Sequence, residues 1–344
     1  IRLRFRIRIK SKKTECIRAI SMKVAYVDLS PFLHEDYSLS PRRYGGGRIF
    51  ASLFKEFDWF HIFAKKECFN NLSDKENKGN CVVITQDEIN WIKEGKPLKT
   101  LIKSFHEYDL FVIPHNDIFL NLEGLKGKQL CWSIGYGEKI HKDHKNLLLY
   151  NNFQNSQIEG EINRFYFTLG IELPPYPQII EKKDYIFQCS RHCPEFSSIE
   201  VASFAQRNKI KTIFAGPIVD NYPLMNFIDN KTTFYIGEVS NEVKLKMTME
   251  AGLCTYLFNW PAPFNLSLLE SIAYGTSVAT TRMGFTPSIL IENVNGFFCH
   301  NEESLLHAWN YRKINQRAAY DTILNYNHFN MINSLKTAFQ KIID

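Results

Sequence analysis

Three side chains stand where their type and spacing suit chemistry: Glu270, Arg191 and His115. Glu270 lies inside PFNLSLLESIAYGTSVATTRMGFTP, residues 263–287. Leu266, Leu269, Glu270 and Ala273 recur at helical spacing, so the spacing predicts a helix opening near Phe264, Asn265 and Leu266. Such an opening aims unpaired backbone N–H groups forward, a natural seat for phosphate. A carboxylate one turn further on can accept two hydroxyl protons at once. Gly275 stands where the helix needs a left-handed C-terminal turn. Ser277 to Thr281 reads as a short strand of small and β-branched residues, and Gly284 and Pro287 close the unit as a loop.

Arg191 follows a strand expected over Tyr185–Cys189, where its fork of donors can hold phosphate or serve a surface ion pair. His115 follows a strand expected over Tyr108–Pro114. Carboxyl ends of strands in open α/β sheets face the ligand crevice, and a polar loop residue is the alternative for His115. Gly45, Gly46 and Gly47 sit between a first strand and the helical pattern Ile49, Phe50, Leu53, Phe54 and Phe57. There they serve a close approach of backbone to ligand, or simply a flexible turn. His141 and His144, with Asp143 between them, lack a third convergent ligand and read as a solvated loop, so no metal is expected. Trp132, Tyr136 and Tyr150 offer faces on which sugar rings stack, with core packing the alternative, favoured for Trp132.

These residues need a scaffold, and the chain supplies one. Lys23–Asp28, Asp58–Phe63, Cys81–Thr85 and Tyr108–Pro114 read as strands, with helical segments such as Glu88–Phe105 between them. Alternation of this kind predicts parallel sheets covered by helices. In the second half, strands are expected over Lys211–Ala215, around Phe234 and over Leu253–Phe258, with a helix over Asn241–Ala251 capped by Ser240. Leu173-Pro174-Pro175-Tyr176-Pro177 is stiff and unsuited to helix or central strand, so it reads as the linker. The expected domains are 22–173 and 178–320, followed by a helical tail over 321–344.

At 344 residues with 44% hydrophobic and 14% aromatic content, the chain is globular and long enough for two cores. Its net charge of +6 comes from the first 21 residues, which hold eight Lys or Arg and one Glu. The rest carries 34 basic against 35 acidic residues, so a nucleic-acid partner is not expected. Residues 1–21 read as a non-native or dispensable extension, the alternative being an arm that meets anionic lipid. Eight scattered cysteines and no signal-peptide pattern point to reduced thiols in a cytoplasmic protein. No apolar run reaches bilayer length, which leaves peripheral membrane docking open.

The stretch 263–287 resembles the donor-site signature of the retaining GT-B glycosyltransferases, glycosyltransferase family 4 in particular. Pro263, Phe264, Leu266, Leu269, Glu270, Ala273, Gly275, Thr276 and Val278 match the pattern, and Asn295-Gly296-Phe297 resembles the family's later strand entry. Ala262 stands in place of the family's first Glu, Asn265 in place of Gly and Ser277 in place of Pro. Arg191 matches a family cation, whereas Phe196 occupies the position of its Lys partner. Lys211–Pro217 and Phe234–Ser240 resemble two further family segments, the second including Gly237 and Val239, whose backbone meets the base.

The resemblance implies an α/β protein of the GT-B fold, two Rossmann-like domains facing one another across a cleft. It implies acceptor binding by the first domain, donor binding by the second, and a last helix that crosses back to the first. The activity implied is transfer of a sugar from a nucleotide-diphosphate sugar to an acceptor hydroxyl, with retention and without a metal or cofactor. In that reading Arg191, Phe264, Asn265 and Leu266 meet the diphosphate, and Glu270 meets the ribose. Gly45, Gly46 and Gly47 face the donor, Gly237 and Val239 meet the base, His115 touches the transferred sugar and Tyr136 serves the acceptor. The acceptor is a glycan, a lipid-linked molecule or a protein. The substitutions at Ala262 and Phe196 keep an alternative open, a GT-B-fold protein that binds or regulates without catalysing. A nucleotide-sugar epimerase fits less well, because no acid/base pair is visible in the cleft motifs.

Overall fold

The structure, a computed structural model, describes residues 23–27, 60–64, 81–83, 85–94, 96–97, 108–114, 123, 129–132, 145–150, 152–156, 158, 160–175, 179–219, 221–262 and 264–344. Two parallel sheets organise them. The first contains β1 (Val24–Val27), β2 (Phe60–Ala64), β3 (Cys81–Val83), β4 (Leu110–Pro114), β5 (Gln129–Trp132), β6 (Asn146–Leu149) and β7 (Asn163–Tyr166). Its order is β3-β2-β1-β4-β5-β6-β7. The second contains β8 (Lys183–Cys189), β9 (Thr212–Ala215), β10 (Thr233–Tyr235), β11 (Ala251–Tyr256), β12 (Val278–Thr280) and β13 (Gly296–Phe298). Its order is β10-β9-β8-β11-β12-β13. In each sheet the first strand lies beside the fourth, with the second and third on its other flank. That reversal opens a crevice at the carboxyl ends of the two central strands.

The described helices are α1 (Gln86–Lys93), α2 (Asn152–Ser156), α3 (Ser198–Asn208), α4 (Asn241–Glu250), α5 (Leu266–Ala273), α6 (Thr286–Ile289), α7 (Glu302–Asn310), α8 (Gln316–Asp321) and α9 (His328–Ile343). Local chemistry explains their starts. Thr85 and Glu88 form a reciprocal cap at α1, with Thr85 N–H donating to Glu88 Oε2 at 2.7 Å and Glu88 N–H to Thr85 Oγ1 at 3.3 Å. Ser240 Oγ accepts from Val243 N–H at the start of α4, as its sequence position predicts. Several boundaries differ from expectation: the helix expected over Glu88–Phe105 spans Gln86–Lys93, with Lys96 and Pro97 outside it. Ala251 leaves α4 with extended backbone angles and opens β11, so helix passes into strand without a loop. The loop expected over Gly284–Pro287 ends at Phe285, because Pro287 enters the first turn of α6, where a missing N–H costs nothing.

Strands buried on both faces read as continuous apolar runs. Ile186, Phe187, Leu253, Cys254 and Val278 are all fully buried in the second sheet, as are Leu110, Phe111 and Val112 in the first. Although α9 comes last, its Met331, Ile332, Leu335, Ala338 and Phe339 share one apolar cluster with Val24, Leu110, Val112 and Leu148 of the first sheet. Hydrogen bonds hold this return. Thr168 N–H donates to Ser334 Oγ at 2.9 Å, and Ile171 N–H donates to the Tyr326 carbonyl at 2.9 Å.

Lys182, just before β8, joins two helices at their C-terminal ends. Its ammonium donates to the Met249 carbonyl of α4 at 2.7 Å, the Tyr274 carbonyl after α5 at 3.2 Å and Thr276 Oγ1 at 2.8 Å. The last carbonyls of a helix carry partial negative charge and lack intrahelical partners, so one cation satisfies two ends. Burial lowers the Lys182 pKa to about 8, and the three acceptors occupy all of its donors. Replacing it by Met leaves those acceptors unsatisfied in a part-buried place. Lys182→Met is expected to cost about 3 kcal/mol, read as a drop in thermal midpoint by calorimetry. An unchanged midpoint would refute the clamp.

Candidate functional site

The loops that leave the carboxyl ends of β8, β9, β10 and β11 are fastened to one another. After β8, Ser190 N–H donates to the Ala215 carbonyl of β9 at 3.1 Å. Gly216 follows with φ +117°, and a Cβ there would lie 2.0 Å from the Ser190 carbonyl oxygen, so only glycine permits this approach. Gly216 N–H then donates to the Gly237 carbonyl at 2.9 Å. On the other side, Asn259 N–H donates to the Glu195 carbonyl at 3.0 Å, and its Nδ2 donates to the Pro194 carbonyl at 2.8 Å. The segments carrying Arg191, Gly237 and the approach to α5 therefore form one rim.

A buried network that the sequence did not reveal anchors Arg191. Its neighbour His192 is fully buried. His192 Nε2 lies 3.1 Å from the Ala215 carbonyl, which fixes it as the donor, so Nδ1 accepts from Ser198 Oγ at 2.8 Å. Gln188 Nε2 in turn donates to Ser198 Oγ at 3.1 Å and to the Phe196 carbonyl at 2.9 Å. Arg191 itself is exposed, with its guanidinium carbon 5.9 Å from the centre of the Phe196 ring. Phe196 packs at 5.5 Å against Phe258 and belongs to the core of the second sheet. Where the resembled family has a lysine, this chain has apolar core.

At the start of α5, Asn265 is the N-cap, and its Oδ1 accepts from Leu268 N–H at 2.8 Å. Its side-chain oxygen is thus used by the helix, leaving the N–H groups of Leu266 and Ser267 as the forward-pointing pair. The Phe264 ring lies 5.1 Å from Phe285 and meets Tyr150 edge-on at 5.8 Å. Tyr150 also meets Phe167 edge-on at 5.8 Å, so its ring packs between aromatics at the first sheet. Phe264 and Leu266 contact the apolar clusters of both sheets, so the start of α5 sits where the two cores meet. Ala262, at the position of the family's first Glu, is 2% exposed within the second core.

Glu270 is ion-paired with Lys244 of α4, and their side chains are 13% and 10% exposed. Sequence reasoning missed Lys244. The signal was its place on the inward face of α4, four residues before the buried Thr248. Val239 is half-buried against the second core, and a Cβ on Gly237 (φ +72°) would meet open space. Gly45, Gly46, Gly47, His115 and Tyr136 lie outside the described residues, as do His141, His144 and residues 1–21. Among the described residues no group of three metal-ligating side chains occurs, and no helix is long and apolar enough to cross a membrane. Cys193, Cys254 and Cys299 are free thiols, and burial pushes them up to about 12.

No protein-family model and no curated protein matches the sequence. Solved structures do match. HepE of Anabaena in complex with UDP and glucose is 12% identical, with a TM-score of 0.70 over 93% of this chain and 100% of that one. A glycosyltransferase from Rickettsia africae ESF-5 is 14% identical, with a TM-score of 0.68 over 94% and 99%. AviGT4, a glycosyltransferase involved in avilamycin A biosynthesis, is 16% identical, with a TM-score of 0.66 over 94% and 98%. The chain has the α/β fold of these proteins, the GT-B fold of two Rossmann-like units.

The His192 network has a pH signature. Burial lowers the His192 pKa from 6.5 to about 4. Between those values the unfolded chain binds a proton that the folded chain does not, so this stability is complete above pH 6.5 and is lost as pH falls towards 4. The loss reaches about 3 kcal/mol. Chemical denaturation between pH 7 and 4.5 is expected to show a steeper decline for the wild-type chain than for His192→Gln, and parallel declines would exclude His192 as the cause.

Proposed function

We propose that the protein is a glycosyltransferase that moves a sugar from a nucleotide-diphosphate donor to an acceptor hydroxyl. The observation that carries this reading is the carboxyl-edge rim of the second sheet. It joins the Arg191 loop, the Gly237 loop and the approach to α5 on a fold shared with proteins solved with UDP and UDP-glucose. The reading extends to retention of configuration, metal independence and membership of family 4, which rest on the motif resemblance. The division at Leu173–Pro177, with 22–173 for the acceptor and 178–320 for the donor, is supported by the separate closure of the two sheets. Return of the tail 321–344 to the first unit is supported by the cluster that α9 shares with it.

In this reading Arg191 and the N–H groups of Leu266 and Ser267 stabilise the diphosphate as negative charge develops on it. Asn265 fixes that helix start, and Phe264 holds it between the two cores. Glu270 accepts from the ribose hydroxyls, Gly237 and Val239 present backbone to the base, and Gly45, Gly46 and Gly47 approach the donor from the opposite unit. His115 touches the transferred sugar and Tyr136 the acceptor, which is a glycan, a lipid-linked molecule or a protein. The bond from the anomeric carbon to the diphosphate oxygen breaks as the acceptor oxygen bonds to that carbon. The acceptor proton passes to the leaving diphosphate, so no side-chain base is required. The protein acts in the cytoplasm, with docking at a membrane surface compatible with a lipid-linked acceptor.

The core positions of Phe196 and Ala262 support a second reading, a binding or regulatory partner that has lost turnover, since both stand where the family carries charge. A panel of nucleotide sugars, scored for thermal stabilisation and for slow hydrolysis without acceptor, separates the two. Transfer predicts stabilisation by one donor together with hydrolysis, and Arg191→Ala is expected to slow that hydrolysis on the order of a hundredfold. Stabilisation without turnover, even when candidate acceptors are supplied, favours the binding partner, and no response to any donor sinks both.

A further inference from the structure

The Lys244–Glu270 pair links two helices inside the candidate site, and no motif announced its basic member. We propose that Lys244 is a positioning residue that holds the Glu270 carboxylate ready for a nucleotide ribose. This inference rests on the ribose role proposed above for Glu270.

Burial separates this pair from surface ion pairs. With side chains only 10% and 13% exposed, both charges are largely out of water, and their pairing offsets part of the cost of burying them. The two helices have little freedom to drift apart. Lys182 bridges their C-terminal ends, and Tyr185 Oη donates to the Met247 carbonyl of α4 at 2.8 Å. On the α5 side, Ser271 Oγ donates to the Ser267 carbonyl at 2.9 Å and shares a 2.9 Å hydrogen bond with Tyr256 Oη. The ammonium is therefore delivered to one place, and the carboxylate is drawn to it.

The identity of the cation matters as well. A guanidinium takes both oxygens of a carboxylate in a fork, whereas an ammonium is a compact point charge. A carboxylate has about four acceptor positions, so a lysine at Oε2 is compatible in number with a diol on the same group. Holding the carboxylate in one rotamer before the nucleotide arrives lowers the ordering cost of binding. Lys244 lies one turn after the Ser240 cap that ends the Gly237–Val239 loop, and its N–H donates to the Ser240 carbonyl at 2.9 Å. The loop proposed for the base and the carboxylate proposed for the ribose are thus set by one helix.

Calorimetric titration with UDP and with 2′-deoxy-UDP tests the role, because a ribose-positioning residue matters only for the nucleotide that has the 2′-hydroxyl. The wild-type chain is expected to favour UDP by roughly tenfold, and Lys244→Met to lose most of that preference while its affinity for 2′-deoxy-UDP changes by about twofold or less. Equal weakening of both nucleotides in Lys244→Met, or retention of the full preference, overturns the proposal. Lys244→Gln keeps an N–H donor and carries the same comparison where the Met variant does not fold. In that variant equal weakening of both nucleotides is likewise fatal, whereas a retained preference assigns the positioning to the N–H donor. A wild-type chain that binds both nucleotides equally instead refutes the ribose role of Glu270, and a Glu270→Gln variant checks that outcome separately.

Discussion

The candidate site depends on two lysines that hold α4 and α5 together. Lys182 binds the carbonyl ends of both helices, and Lys244 binds Glu270 further along. Neither is a surface decoration. Each inserts a cation where burial would otherwise penalise it, and each is compensated by groups that a helix pair cannot satisfy alone. The hydroxyl contact between Tyr256 of β11 and Ser271 of α5 fastens the same pair to the sheet beneath. The position of the α5 N-terminus relative to the rim follows from this clamp.

Close approach of backbones is the second constraint. A Cβ on Gly216 would collide with Ser190, and one on Gly284 (φ +62°) would lie 2.2 Å from the Ala262 carbonyl. The two contacts set the loops after β8 and β9 against each other and the loop before α5 against the loop after β12. The described charges at these walls include Arg191 at the rim and the Lys244–Glu270 pair, beside the dipole of α5. Phe196 and Ala262 are core, so among the described residues the proposed transfer has fewer charged groups than the family resemblance implies.

Phe264 binds the two halves of the molecule to this arrangement. Its ring touches Phe285 on one side and Tyr150 on the other, and Tyr150 leans on Phe167. The helix start that carries the proposed phosphate seat is therefore also a contact between the two cores. Tyr150, for which the sequence left sugar stacking and core packing open, packs here against Phe264 and Phe167.

Much of the scaffold was legible in the sequence because it is written in short-range patterns. Apolar runs marked β1, β4, β8, β9 and β11, helical spacing marked α5, and Ser240 announced a cap that forms. The motif order over 185–300 announced the GT-B fold, which the matches with solved structures bear out. Strand order and the partners of Lys182, Lys244 and His192 were decided only by tertiary structure. A lysine in a helix looks the same in sequence whether it faces water or a carboxylate on the next helix. The difference lies in contacts between residues as far apart as Lys182 and Thr276, which no local periodicity encodes.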